Sequence, residues 1–191
     1  MKKIWSACLL IASLMLPALP ALADSYSDTI GLFKNAGASA AFFRSSYGYA
    51  VFPTIGKGGL VVGAAHGTGR VYQKGKYVGD TSMTQLSVGL QAGGQAYSEI
   101  IFFEDQRSFS EFTSGSFTFS GDVSAVAITA GASASAGTGG STAGASGGKK
   151  DATTAGNYQK GLAVFTIAKG GLMYQAAVAG QKFSYKALAS N

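Results

Sequence analysis

The chain has 191 residues, of which 47% are hydrophobic and 13% charged, and a formal net charge of +6. Its one cysteine and one histidine exclude a disulfide framework and a His/Cys metal centre. The net charge is too mild to name a partner by itself.

Met1-Lys2-Lys3 is a short positive n-region, Ile4 to Leu16 an almost unbroken apolar run, and Ala21-Leu22-Ala23 an A-x-A cleavage site behind Pro17 and Pro20. The run is shorter than the roughly 20 residues that span a bilayer. Residues 1–23 are therefore expected to be a cleaved signal peptide, and residues 24–191 a single domain. Cys8 lies too early, behind Trp5-Ser6-Ala7, for a lipoprotein signal. Removing the segment lowers the net charge from +6 to +4 and takes away the only Cys and the only Trp. The working form is expected to be exported, periplasmic in a Gram-negative source, and held by its apolar core alone.

Ser25 to Ser46 reads as a helix, capped by Ser27, with Asp28 in its first turn. Ile30, Phe33, Gly37, Ala40 and Ala41 form one apolar stripe that would pack on a sheet. Short β-like runs follow, punctuated by glycine. Tyr47 to Ile55 leads into the turn Gly56-Lys57-Gly58-Gly59. Leu60 to Ala65 and Arg70 to Gln73 come next, and Lys74-Gly75-Lys76 turns the chain into Tyr77-Val78. Leu86 to Ala92 and Gln95 to Phe103 are separated by a bend at Gly93-Gly94. Ile100 to Phe103 is continuously apolar and is expected to be buried on both faces. Asp105 caps a short helix anchored by Phe109 and Phe112, with Gly115 at its C-terminal end. Phe117 to Ser120 and Val123 to Thr129 are further strands. Residues 130–157 are almost all Gly, Ala, Ser and Thr, and read as a long low-complexity loop.

Two patterns bear on function. Thr29 to Gly79 holds six basic residues and no acid, Asp80 to Asp122 six acids and only Arg107, and Val123 onward six lysines and only Asp151. This is either a chance alternation of solvated loops or two segments sharing one basic surface. Further, Ala50-Val51-Phe52-Pro53-Thr54-Ile55-Gly56-Lys57-Gly58-Gly59-Leu60 recurs as Ala163-Val164-Phe165-Thr166-Ile167-Ala168-Lys169-Gly170-Gly171-Leu172, with only Pro53 extra. The repeat predicts two equivalent hairpins about a pseudo-twofold axis, each with one lysine in a glycine turn. Such a turn can form a backbone nest for an anion beside the ammonium. The same residues read at least as well as a plain hairpin turn with a solvated lysine.

Signals for catalysis are weak. His66 stands alone, Gly144-Ala145-Ser146-Gly147-Gly148 matches G-x-S-x-G outside any strand-to-helix elbow, and Glu99, Glu104, Asp105 and Glu111 read as strand-end and helix-start residues. No nucleotide-binding glycine fingerprint is present. A non-enzymatic protein without metal, cofactor or nucleic-acid partner is expected. The alternatives are a hydrolase using Ser, His66 and a carboxylate, and a small outer-membrane β-barrel or structural envelope protein. Ala189-Ser190-Asn191 and the apolar run at Ile100 speak against the barrel.

Tyr47-Gly48-Tyr49-Ala50-Val51-Phe52-Pro53-Thr54-Ile55-Gly56-Lys57-Gly58-Gly59 resembles the opening motif of the SYLF domain family. Gly79-Asp80-Thr81-Ser82, Val88-Gly89-Leu90-Gln91-Ala92-Gly93-Gly94-Gln95, Ser98-Glu99-Ile100-Ile101-Phe102-Phe103 and Lys169-Gly170-Gly171-Leu172 match as well. The resemblance covers nearly all of residues 24–191. Eukaryotic members are associated with phosphoinositide binding, membrane remodelling and, in yeast, actin, and carry SH3 or FYVE modules that this chain lacks. The resemblance implies a lipid-binding domain with an anionic phospholipid as ligand. On that reading Lys57 with Gly58 and Gly59, and Lys169 with Gly170, contact phosphate. Arg70, Lys74, Lys76, Lys182 and Lys186 add longer-range attraction. The fold class expected is α+β: a mainly antiparallel twisted sheet or partly closed barrel, with the N-terminal helix packed on it.

Overall fold

Small and apolar residues alternate with polar ones along the longest strands, and that alternation divides the sheet into a packed and a solvated face. A computed structural model describes residues 21–59, 62–88, 94–119, 125–128, 157–169, 178 and 180–189. In chain order the elements are α1 (Ala21–Asn35), α2 (Gly37–Ala40), α3 (Phe42–Ser45), β1 (Gly48–Gly59), β2 (Val62–Gln73), β3 (Lys76–Val88), β4 (Gln95–Phe103), α4 (Gln106–Phe112), β5 (Ser116–Thr118), β6 (Ala125–Ile128), β7 (Leu162–Lys169) and β8 (Lys182–Ala187). The strands form one curled sheet in the order β5-β8-β3-β2-β1-β4-β7-β6, a half-barrel. Every pair is antiparallel except β6 with β7. The twisted, mainly antiparallel sheet of the α+β reading is thus met, as a half-barrel with few helices.

The inner face is a phenylalanine core. Phe52 of β1, Phe103 of β4 and Phe183 of β8 are buried with Phe109 and Phe112 of α4. Strand β2 supplies the floor that lets these rings in. A methyl group on Gly69 would come within 2.6 Å of the Phe52 ring, and one on Gly67 within 2.6 Å of Ile55 Cγ1. Glycine at these two positions is a packing requirement, so β2 runs unbroken where two short strands were expected.

The outer face is apolar over only half the sheet. Phe33 of α1, Ala36 between α1 and α2, and Phe42 of α3 are buried together with Val51, Phe102 and Phe165 of β1, β4 and β7. The Phe42 ring lies 5.1 Å from Phe165 and 5.5 Å from Phe102, distances typical of favourable aromatic pairs. Strand β4 is covered on both sides, and Ile100 to Phe103 are all fully buried, as the continuous apolar run predicts.

Several local expectations need correction. The N-terminal helical segment is three helices. Ala36 is extended between α1 and α2, and the buried Ser39 hydroxyl donates to Phe33 O at 2.6 Å, capturing a carbonyl freed by the break. Ser27 lies inside α1 and is not its cap. Gly56 to Gly59 belong to β1, which continues past the expected turn. Lys74 and Gly75 do form a two-residue hairpin turn, both with positive φ, 49° and 80°. Asp105 caps α4, accepting from Ser108 N at 2.8 Å in a capping box.

Both repeat copies lie in strands, in β1 and β7, which flank β4. Equivalent residues face opposite ways. Ala50 and Phe52 lie in the inner core, whereas Ala163 and Phe165 lie in the outer one. The second expected hairpin turn, the low-complexity stretch 130–156 and the signal stretch 1–20 fall outside the described residues.

Candidate functional site

The sheet register brings distant lysines to one level. Lys169 of β7 pairs with Ala96, Ala96 with Gly56, Gly56 with His66, His66 with Thr84, and Thr84 with Lys182 of β8. Lys57 sits in the next row, between Gln95 and Ala65. Five strand spacings separate the outer lysines, about 24 Å along the curved sheet. No carboxylate occupies either row among the described residues. Lys169 and Lys182 are exposed and Lys57 is partly so. Lys169 donates to Thr54 Oγ1 at 2.9 Å, which leaves two of its three ammonium protons for another acceptor. The opposite end of the sheet is different in kind. Glu104 and Asp105 follow β4 there, and Arg107 pairs with Glu111 at 2.8 Å.

Further along the outer face, β2, β3 and β8 carry polar side chains where the other half carries helices. One register row is hydroxyl throughout: Thr54, Thr68, Ser82, Ser184 and Ser116. Ser82 and Ser184 share a hydrogen bond of 2.7 Å. The next row holds Arg70, Asp80 and Lys186. The Arg70 guanidinium lies between two rings, 4.3 Å from Tyr26 and 4.9 Å from Tyr77. Asp80 Oδ1 accepts from the Tyr77 hydroxyl at 2.6 Å. A cleft of about 380 Å³ opens here, lined by Tyr26, Thr68, Arg70, Asp80, Ser184 and Lys186 among others. Arg70 is held by stacking, with its N–H fork unspent on acceptors among the described residues.

A third polar group is internal. Glu99 is fully buried at mid-strand in β4 and accepts from Gln181 Nε2 at 3.0 Å; the same amide reaches Tyr97 Oη at 3.3 Å. Glu99 Oε1, Gln181 Oε1 and Thr166 Oγ1 have no partner among the described residues, and Thr166 is the register neighbour of Glu99. Burial pushes the Glu99 carboxyl up to about 7, and the Gln181 bond pulls it partly back. Burial, and then the charge of Glu99, push the Tyr97 hydroxyl above its ordinary range. The expectation that Glu99 is a strand-end residue is corrected.

The expected ligand residues therefore separate. Lys57, Gly58, Gly59, Lys169 and Lys182 share one end of the sheet. Arg70 and Lys186 lie in the cleft, part-way along. Lys74 and Lys76 lie at the β2–β3 turn; Gln73, the register partner of Lys76, is eight residues from Ala65, which puts the turn about 26 Å from the Lys57 row. Gly170 is outside the described residues. The two repeat lysines differ in setting, because Lys57 follows the inward Ile55 while Lys169 bonds outward to Thr54. Sequence reading missed the hydroxyl row, the Tyr26–Arg70–Tyr77 stack and the Glu99 cluster. Ser82 and Thr84 at alternate positions of β3, and Ser184 between Lys182 and Lys186 in β8, are the part of the first that the sequence displays.

The alternatives fare as follows. A membrane-spanning barrel turns an apolar band outward, whereas this sheet packs phenylalanines inside and presents hydroxyls and charges on β2, β3 and β8. No helix among the described residues is long and apolar enough to cross a membrane. His66 is exposed, and its register neighbours are Gly56 and Thr84, neither a carboxylate.

Comparison with known proteins agrees with the motif resemblance. A curated relative, Beta cell expansion factor A of Aeromonas veronii, is 28% identical over 166 residues, covering 84% of this chain and 54% of the relative. The chain thus spans about half the length of that relative. The family model Ysc84, described as Las17-binding protein actin regulator, matches residues 84–187. That match takes in more than half of the chain and runs from β3 through β8, so the chain belongs to the Ysc84, or SYLF, family.

Proposed function

We propose that the chain is an exported, non-catalytic domain that docks on anionic membrane surfaces through the end of the sheet bearing Lys57, Lys169 and Lys182. The observation that carries this reading is the register: three lysines from three strands, up to 125 positions apart in sequence, fall within one residue of the same level, with no acid in their rows among the described residues. Gly58 and Gly59 leave the approach to Lys57 free of bulk. Arg70 and Lys186, set back in the cleft, add attraction at longer range. Each basic residue near an anionic surface contributes about 1 kcal/mol, so three account for roughly a hundredfold in affinity. The family is described by Las17 binding and actin regulation; no feature of the described residues singles out a protein groove of that kind, and charge favours the lipid surface.

Flotation with vesicles of phosphatidylcholine alone and of phosphatidylcholine with phosphatidylglycerol tests the reading. Binding is expected only to the anionic vesicles, and is expected to fall steeply with salt, since charges are screened beyond about 8 Å at physiological ionic strength. Equal binding to both vesicle types would remove the electrostatic basis.

A further inference from the structure

Beyond the lysine level the outer face of the β2–β3 pair becomes apolar, and none of the described residues covers it. Ala64 pairs with Leu86, and Val62 with Val88. Leu86 is 79% exposed and Val62 is 62% exposed, the two most exposed large apolar residues among those described. Leu86 lies two residues beyond Thr84, the register partner of Lys182, and so about 7 Å further out along the strand. Leucine and valine held this far from any packing partner lose the transfer energy that burial would give them. The hydroxyl row shows that this sheet face tolerates polar residues well, so apolar ones at its tip are not a requirement of the fold.

The order along the strands is hydroxyls, then cations, then exposed aliphatics at the end. From this we propose that the end of the sheet penetrates an anionic bilayer, with Leu86 and Val62 seated at the acyl boundary and Lys57, Lys169 and Lys182 at head-group level. The inference rests on the membrane reading above and adds a depth and an orientation to it. Charge complementarity selects the occupant, because the cations that border the apolar tip match a phosphate layer covering hydrocarbon. The strands would stand steeply on the surface, with the Lys74–Gly75 turn farthest from it.

Tryptophan fluorescence tests it in the full chain, with Trp5→Phe to remove the background. A Leu86→Trp variant is expected to shift its emission to the blue on adding phosphatidylcholine/phosphatidylglycerol vesicles, and to be quenched by lipids brominated on the acyl chain. A Lys76→Trp variant at the far end is expected to do neither. A Val62→Gln/Leu86→Gln variant, checked for folding by circular dichroism, is expected to bind the same vesicles at least about tenfold more weakly. Flotation that persists while the Leu86→Trp emission stays water-like would overturn penetration and leave head-group docking standing. Absence of flotation by the wild type would overturn both. A blue shift without vesicles, accompanied by a doubled mass in light scattering, would assign the patch to self-association and overturn the inference.

Discussion

Replacing Glu99 by Gln should stabilise the protein at alkaline pH and leave it unchanged in acid. The carboxyl is fully buried, its Oε1 has no partner, and its titration is raised from 4.5 to about 7. Because the folded form holds the proton more tightly than the unfolded chain, the proton stabilises the fold. This contribution is complete below about pH 4.5, is lost as pH rises through about 7, and stays lost above it. At about 1.4 kcal/mol for each factor of ten in proton affinity, the span is worth about 3 kcal/mol. Glutamine keeps an acceptor for Gln181 Nε2 and brings a permanent donor beside the unpartnered Gln181 Oε1 and Thr166 Oγ1. Urea unfolding of wild type and Glu99→Gln, followed by circular dichroism at pH 4.5, 6, 7 and 8, isolates the effect as a difference between two curves. Equal stabilities at the lowest pH and a gap of about 2–3 kcal/mol in favour of the variant at pH 8 are expected. A gap that is flat with pH, or a variant less stable at pH 8, would refute the reasoning.

Two further outcomes test the core. Phe112→Ala removes a ring that is 1% exposed and packs 4.9 Å from Phe103 and 5.2 Å from Phe183; chemical denaturation should record a loss of about 3–5 kcal/mol. Gly69→Ala forces a methyl group to within 2.6 Å of the Phe52 ring and 2.8 Å of Val51 O; it should cost about 1–3 kcal/mol, whereas alanine at Gly56, with nothing within 4 Å, should change the midpoint little.

Local chemistry made much of the fold legible. The capping box at Asp105, the buried run Ile100 to Phe103, the strand Gln95 to Phe103 and the turn at Lys74-Gly75 each follow from a few adjacent residues. The misreadings share a cause. Gly56 to Gly59 carry turn residues, yet stay in β1 because β2 pairs with all four and β4 pairs with Gly56 and Lys57 as well. Gly67 and Gly69 look like breaks in β2, yet they make room for Phe52 and Ile55, which come from another strand. In the candidate site, the lysines were visible but their grouping was not. Lys57 and Lys182 reach one level only through the register of β1, β2, β3 and β8, whereas Lys74 and Lys76, nearer to Lys57 in sequence, are carried to the far end of the sheet. The burial of Glu99 likewise depends on Gln181, 82 positions away.

The location of the docking surface is most directly tested by two triple variants of matched charge. Lys57→Gln/Lys169→Gln/Lys182→Gln neutralises the proposed end, and Lys74→Gln/Lys76→Gln/Lys160→Gln neutralises the opposite one, where the exposed Lys160 precedes β7 and the next residue, Gly161, accepts from Glu104 N. Binding to phosphatidylcholine/phosphatidylglycerol vesicles at fixed ionic strength should fall about a hundredfold in the first variant and only slightly in the second. Equal losses in the two variants, or a larger loss in the second, would contradict the assignment.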